Sequence, residues 1–462
     1  MIREQTVSRV LDAAFGTGAD FAELFCEDCE SNRLLMSDGA IEQSSSKHRH
    51  GAGVRVMRGE QSAYAYSADT SEEALLETAK AAAAALHDPA AARKFQFMKK
   101  SYRTPMDVRF DSITNDARVR LMHKGNAAGK AVSEKIRQMT VSYADEVQRV
   151  LIANSEGVWA EDERPRTRIV FQAVAADGQS AERGSESPGC CRGFEAYAKT
   201  IDAEAYAKKA AERAVLLLGA KDCPGGNMPV VISGGFGGVI FHEACGHSLE
   251  ATSVGPGNSE FCGKLNTQIA APCVSAMDDG TIPFEWGTIN VDDEGTPGQR
   301  NLLIENGILK SYLIDRLGSR RLHLPMTGSS RRQDYTFAPT SRMTNTFICP
   351  GQDDPDEMIR TMGTGLYCAS LGGGSVNPLT GEFNFAVGEG YWVQDGKILY
   401  PVRGAMLIGK GAEILQRIDR VGPSMWMAAG MCGSMSGSVP TNVGQPVIRV
   451  QSITVGGKGG AH

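Results

Sequence analysis

A chain of 462 residues is too long for one ordinary hydrophobic core and points to two domains. With 42% hydrophobic residues, 22% charged residues and 53 glycines, it reads as a soluble globular protein with many tight turns, which excludes large-scale disorder. The net charge of −6, with no run of Lys and Arg, provides no basic field for nucleic acid.

The N-terminal stretch MIREQTVSRVLDAAFGTGADFAELF is charged and amphipathic, unlike the apolar centre of a signal peptide. No segment approaches the roughly 18 apolar residues that cross a bilayer. These features predict a cytoplasmic protein without a membrane partner. The eleven cysteines, odd in number and irregular in spacing, read as reduced thiols, most of them in the core. Cys26 and Cys29 form a CxxC, but FAELFCEDCESNRLLM alternates like a strand and sends residues three apart to opposite faces.

One plan then occurs twice. LLMSDGAIEQ, GAGVRVMRGEQSAYAYSAD and TSEEALLETAKAAAAAL run as turn, β-ribbon and helix; LIANSEGVWAED, TRIVFQAVAADGQSAERGSE and DAEAYAKKAAERAVLLL repeat the order. Ser37-Asp38-Gly39 and Ser155-Glu156-Gly157 suit hairpin turns, because Asp and Gly tolerate positive φ. A helix over about 112–133 lies between the two units.

Pro and paired Gly in GAKDCPGGNMPV predict a boundary between an N-terminal domain, 1–222, and a C-terminal domain, 223–462. Beyond it, MPVVIS, NLLIENGILKSYLIDR and GYWVQDGKILYPV read as strands, with Asn-Gly and Asp-Gly turns. The expected class is α+β: an N-terminal mixed domain of repeated β-ribbon-helix units, then a β-rich domain carrying a helix with a His-Glu-x-x-x-His motif.

That motif lies in FHEACGHSLE, residues 241–250. Composition predicts roughly 0.01 chance matches in such a chain. His242 and His247 are five apart, and at about 100° per residue an ideal α-helix turns their rings about 140° from each other. A single π-bulge absorbs one residue and restores the relation of positions four apart, and Gly246 gives the backbone freedom to distort there. Glu243 follows the first histidine, where zinc proteases place the general base that takes a proton from the attacking water. The bland alternative pairs the histidines with local acids such as Glu250. A hydrolytic site needs a third protein ligand and an open position. Spacing offers Glu250, Cys245, His323 and Cys432. Cys245 reads as a core residue, whereas Gly430 and Gly433 around Cys432 suggest a loop able to approach the helix.

Nearly the whole chain resembles the TldD/PmbA peptidases. The likeness lies in GVRVMRGEQSAYAYS, GGFGGVIFHEACGHSLE, SRMTNTFICPG, GGGSVNPLTGEFNFAVGEGYWVQDGKI and GMCGSMSGSVPTNVGQP. The resemblance implies a metalloprotease of the TldD type, whose metal is held by His242, His247 and Cys432, with Glu243 as base. It implies Zn2+, with Fe or Mn as alternatives. It also implies a homodimer, or a heterodimer with a TldE/PmbA-type subunit lacking the motif, enclosing a chamber that admits unfolded or short peptides bound as an added strand. The cysteine loop MCGSMSGS is richer in Ser and Met than the charged version common in that family. Two rivals are a regulatory binding protein of the gyrase- or toxin-modulating kind with a purely structural metal, and a small-molecule amidohydrolase or deaminase. No Pro-Cys-x-x-Cys element supports a deaminase. Arg331, Arg332, Arg342 and Asn345 lie in family-like segments, where one reading has them orient substrate; Arg-rich loops more often make ordinary surface or turn contacts, and these four stay outside the catalytic set.

Overall fold

A computed structural model of the chain describes residues 2–86, 94–377 and 380–458. The described residues fold as α+β with strands in the majority. Among them, no helix is long and apolar enough to cross a membrane.

The repeated plan is visible as two long hairpins. Phe21–Ser37 pairs with Ala40–Arg58 through a turn in which Asp38 and Gly39 take φ of 49° and 85°. Ile136–Asn154 pairs with Val158–Ala176 through a turn closed by Gly157 at φ 91°. The first strands of the two hairpins pair antiparallel, from Glu23 opposite Asn154 to Ser37 opposite Thr140. Each unit then adds a third strand on its outer side, Gln61–Ser67 in one and Ala181–Glu186 in the other.

The helices follow their caps more tightly than hydrophobic periodicity suggests. Ser71 accepts a hydrogen bond from the Ala74 amide and starts the helix Glu72–Ala83, and Thr114 caps Asn115–Lys130 in the same way. The central helix is therefore shorter than the expected 112–133. Asp202 caps the helix Ala203–Leu218. These helices cover one face of the sheet over two apolar cores, one containing Leu24, Val54 and Leu75, the other Met139, Phe171 and Ala210. Cys26 lies in the helix-covered layer and all eleven cysteines are free, so the CxxC is no disulfide.

The opposite face is also buried, although it is polar. Glu23 pairs with Arg332 at 2.7 Å, Glu27 accepts from the Tyr335 amide at 2.9 Å, and Arg55 pairs with both Glu23 and Glu294. The N-terminal sheet thus docks on loops of the C-terminal half through paired charges.

From Lys221 onward the chain builds a second, twelve-stranded sheet, part of which closes on itself. Gly437–Gly456 pairs with Gly226–Ile232, which pairs in parallel with Gly365–Asn377. That strand pairs with Glu382–Gln394, which pairs with Met406–Lys410, and this last strand returns to Gly437–Gly456. The expected Asn306-Gly307 and Asp395-Gly396 turns carry positive φ at both positions. The segment after Ile232, SGGFGG, lies backbone to backbone on this ring: a Cβ on Gly238 would sit 2.5 Å from the Gly444 amide nitrogen.

Strand Ala181–Glu186 and helix Ala203–Leu218 also touch through their backbones, since a Cβ on Gly184 would lie 1.9 Å from the Ala210 carbonyl oxygen. Gly184→Ala is therefore expected to destabilise the fold by about 1–3 kcal/mol, read as a lower midpoint of thermal unfolding. An unchanged midpoint would rule out this contact.

Candidate metal centre

The motif does not sit on one regular helix. Gly235–Gly238 form a 3-10 turn, Val239–Phe241 a short α turn, His242–Gly246 a π turn and His247–Leu249 a second 3-10 turn. The wide turn spans the interval between the two histidines. Their rings lie 5.1 Å apart between centroids, at 82° to each other.

Packing, not backbone freedom, explains the small residues here. Gly246 has an ordinary helical φ of −53°, so the positive-φ tolerance of glycine is unused. What it supplies is space, because a Cβ there would meet the Met343 sulfur at 2.2 Å. On another side of the turn, a Cβ on Gly411 would lie 1.9 Å from the Ala244 carbonyl oxygen. The π turn is held between these two contacts.

Of the four candidates for a third donor, the fold brings Cys432 to the histidines. Its sulfur lies 3.3 Å from His242 Nε2 and 3.2 Å from His247 Nε2, and the three donor atoms all fall within 4.8 Å of one another. Cys432 is not in a loop: it belongs to strand Ile418–Ser434, opposite Val439 in the hairpin with Gly437–Gly456. Its glycine neighbours do not create the approach to the histidines, since a Cβ on Gly433 would meet nothing within 4 Å and one on Gly430 would meet only the Thr441 carbonyl oxygen of the paired strand, at 3.2 Å. Cys245 points into the core, and burial pushes its thiol well up. His323 ends a helix in a left-handed conformation and is not part of the cluster. Glu250 supports the site from behind, with Oε2 3.2 Å from His247 Nδ1. The local acid pairing and the three-donor cluster therefore coexist.

The electrostatics suit a cation. Burial alone would raise the Cys432 thiol, but His242 and His247 outweigh it and hold the group well below the usual thiol range. Burial lowers His247, yet Glu250 and Cys432 raise it well above the ordinary imidazole value. A thiolate beside the proton-holding imidazole of His247 is a place where a metal ion exchanges for protons. The spacing fits as well: bonds of about 2.3 Å to sulfur and about 2.0 Å to nitrogen put tetrahedral donors roughly 3.5 Å apart. Glu243 stands on the accessible side, its side chain 26% exposed and its carboxylate 3.8 Å from His247 Nε2.

Arg342, set aside on sequence grounds, is the residue that joins these parts. Fully buried, it donates to the Cys432 carbonyl, to Ser436 Oγ at 2.9 Å and to the Gly437 carbonyl at 2.8 Å, and its Nε lies 3.9 Å from Glu250 Oε1. One guanidinium thus grips the tip of the cysteine hairpin and faces the acid behind His247. Nothing in its local sequence signals this beyond its place in SRMTNTFICPG. Arg332 and Asn345 serve elsewhere, Arg332 on Glu23 and Asn345 on the Asp279 carbonyl, while Arg331 donates to the Met343 carbonyl.

Because the turn is wedged against Gly411, Gly411→Ala is expected to weaken divalent-metal affinity by about 10- to 100-fold in competition with a chromophoric chelator. Gly433→Ala, which meets nothing, is expected to leave that affinity unchanged. Equal affinities in both variants would separate the wedge from the donor geometry.

Comparison with known proteins finds similarity along nearly the whole chain. The model described as PmbA/TldA metallopeptidase C-terminal domain matches residues 225–457, the central-domain model matches 109–218, and the domain 1 model matches 22–86. A protein of Haemophilus influenzae named Metalloprotease TldD homolog is 33% identical over 466 residues, covering 98% of this chain and 96% of that one. Among solved structures, a Thermotoga maritima protein described as a candidate modulator of a DNA gyrase superposes with a TM-score of 0.80 at 22% identity, covering 98% of this chain and all of that one (100%). TldE from Thermococcus kodakarensis superposes with a TM-score of 0.77 at 17% identity, covering 98% and 99%. The chain belongs to the TldD/PmbA metallopeptidase family.

Proposed function

We propose that this metallopeptidase is zinc-dependent and hydrolyses unfolded or short peptides, with His242, His247 and Cys432 as metal ligands and Glu243 as general base. The observation that carries the reading is the convergence of two imidazole nitrogens on one buried sulfur beside an accessible carboxylate. When bound, a zinc ion supplies Lewis acidity and lowers the pKa of water toward about 7.

The protein's own groups do the rest. Cys432 contributes a thiolate, a soft donor that favours zinc over hard cations preferring oxygen. Glu250 holds His247 Nδ1, which leaves Nε2 directed at the sulfur. Glu243 takes the proton of the attacking water and hands it to the leaving amine. Three protein donors converge among the described residues, whereas a structural zinc site closes with four; this supports a catalytic site over a structural one.

Substrate is held in extended form as an added strand, which reads backbone and tolerates varied side chains. The working particle is a cytoplasmic dimer with a second copy or a TldE-type subunit.

Glu243→Ala is expected to keep its metal in elemental analysis while cleavage of a denatured protein falls by about 10²- to 10⁴-fold; full activity would remove Glu243 from the mechanism. Cys432→Ser is expected to lose most of its bound zinc under the same purification. A fully loaded Cys432→Ser protein would mean that sulfur is no ligand.

A further inference from the structure

Away from the metal centre, a cavity of about 290 Å³ lies where the N-terminal sheet meets the C-terminal loops. The sheet contributes Arg33, Gln148 and Arg166, the loops Arg331, and the cysteine hairpin Met431 and Ser438. Met431 and Ser438 line this cavity from the side of the hairpin away from Cys432, because neighbours along a strand alternate faces.

The charges around the cavity are unevenly paired. Six arginines line it against Glu146, Asp292 and Asp293. Three of the six have carboxylate partners: Arg49 with Glu27, Arg164 with Asp162 and Asp293, and Arg332 with Glu23. Both acids of the C-terminal loop are occupied as well, Asp292 by the amides of Glu294, Thr296 and Ser330, and Asp293 by Arg164 and the Arg332 amide. Arg33, Arg166 and Arg331 remain, and among the described residues none of them has an ion pair within 4.0 Å. Glu146 stands opposite them, and because Arg164 takes two carboxylates and Asp292 accepts only from amides, the pairing around the cavity is uneven and leaves these three arginines without a carboxylate of their own.

Arg166 and Arg331 are each only 4% exposed. Arg166 makes one hydrogen bond, from Nε to the Trp286 carbonyl at 3.4 Å, and Arg331 donates through Nη1 to the Met343 carbonyl and Thr441 Oγ1. Their remaining nitrogens are unmatched donors at the cavity. Burying guanidinium groups whose N–H donors lack acceptors is unfavourable. Burial first, then Arg166, pushes Arg331 down to about 9, with Asp293 acting in the opposite direction.

We propose that this cavity is a binding site for a small oxyanion of the phosphate class, held by Arg166 and Arg331 with Arg33 at its exposed rim. Guanidinium forks match such an ion in both shape and charge. Its presence ties the N-terminal sheet to the hairpin that carries Cys432.

The test is calorimetric titration of the full-length, metal-loaded chain with inorganic phosphate at constant ionic strength. One saturable site is expected, weakened by about tenfold or more in Arg166→Gln and Arg331→Gln, and by a few-fold in Arg33→Gln. Arg33 is exposed, so its variant reads the site even where a buried substitution fails to fold. Acetate at the same ionic strength is expected not to compete. Binding that persists in Cys432→Ser locates the ion away from the metal centre. The proposal is overturned by the absence of a saturable site, by unchanged affinity in the arginine variants, by effective competition from acetate, or by loss of binding in Cys432→Ser alone.

Discussion

Two imidazoles separated by five residues can reach one sulfur only where the backbone between them widens. Everything at the centre depends on that widening, and a π turn is not self-sustaining, because its hydrogen bonding is less favourable than that of the α-helix it replaces. Here the surroundings enforce it. Gly411 brings a neighbouring helix onto Ala244, Met343 fills the space left by Gly246, and SGGFGG lies flat on the strand at Gly444. Each contact is backbone against backbone or sulfur against backbone, so each position tolerates little beyond hydrogen.

The same logic of mutual support governs the donors. Cys432 reaches the histidines from nearly two hundred residues away, and its strand is positioned by Arg342, which holds the Cys432 carbonyl and the hairpin tip and faces Glu250. Glu250 in turn holds His247. Removing the guanidinium would loosen sulfur and imidazole together, which is why it matters without touching either donor atom.

A second layer of charge connects the halves of the molecule. Buried pairs such as Glu23 with Arg332 and Arg164 with Asp293 add little net stability over an apolar contact. They do select one docking geometry, since a shifted register would leave several buried charges unmatched. Of the loops they fix, around 291–296 and 330–335, the second leads into the segment carrying Arg342 and Met343. Docking of the N-terminal sheet and the shape of the centre are thus parts of one network.

Features governed by neighbours in the chain were legible in the residues. Turns at Asp38-Gly39, Asn306-Gly307 and Asp395-Gly396 follow from local φ preferences, the two ribbon-helix units from pattern, and the nearness of His242 to His247 from their spacing. Helix ends were misjudged where Ser71 and Thr114 caps prevail over periodicity. Tertiary structure alone decided the rest. It put Cys432 on a strand instead of a loop, made Gly246 a matter of space instead of flexibility, and buried the polar face of Phe21–Ser37, whose alternation looks like that of a strand facing water. It also made Arg342 the link between hairpin and helix. Spacing along the chain encodes what falls within a few residues, whereas these outcomes depend on atoms brought together from distant segments, whose meeting is set by how whole sheets pack.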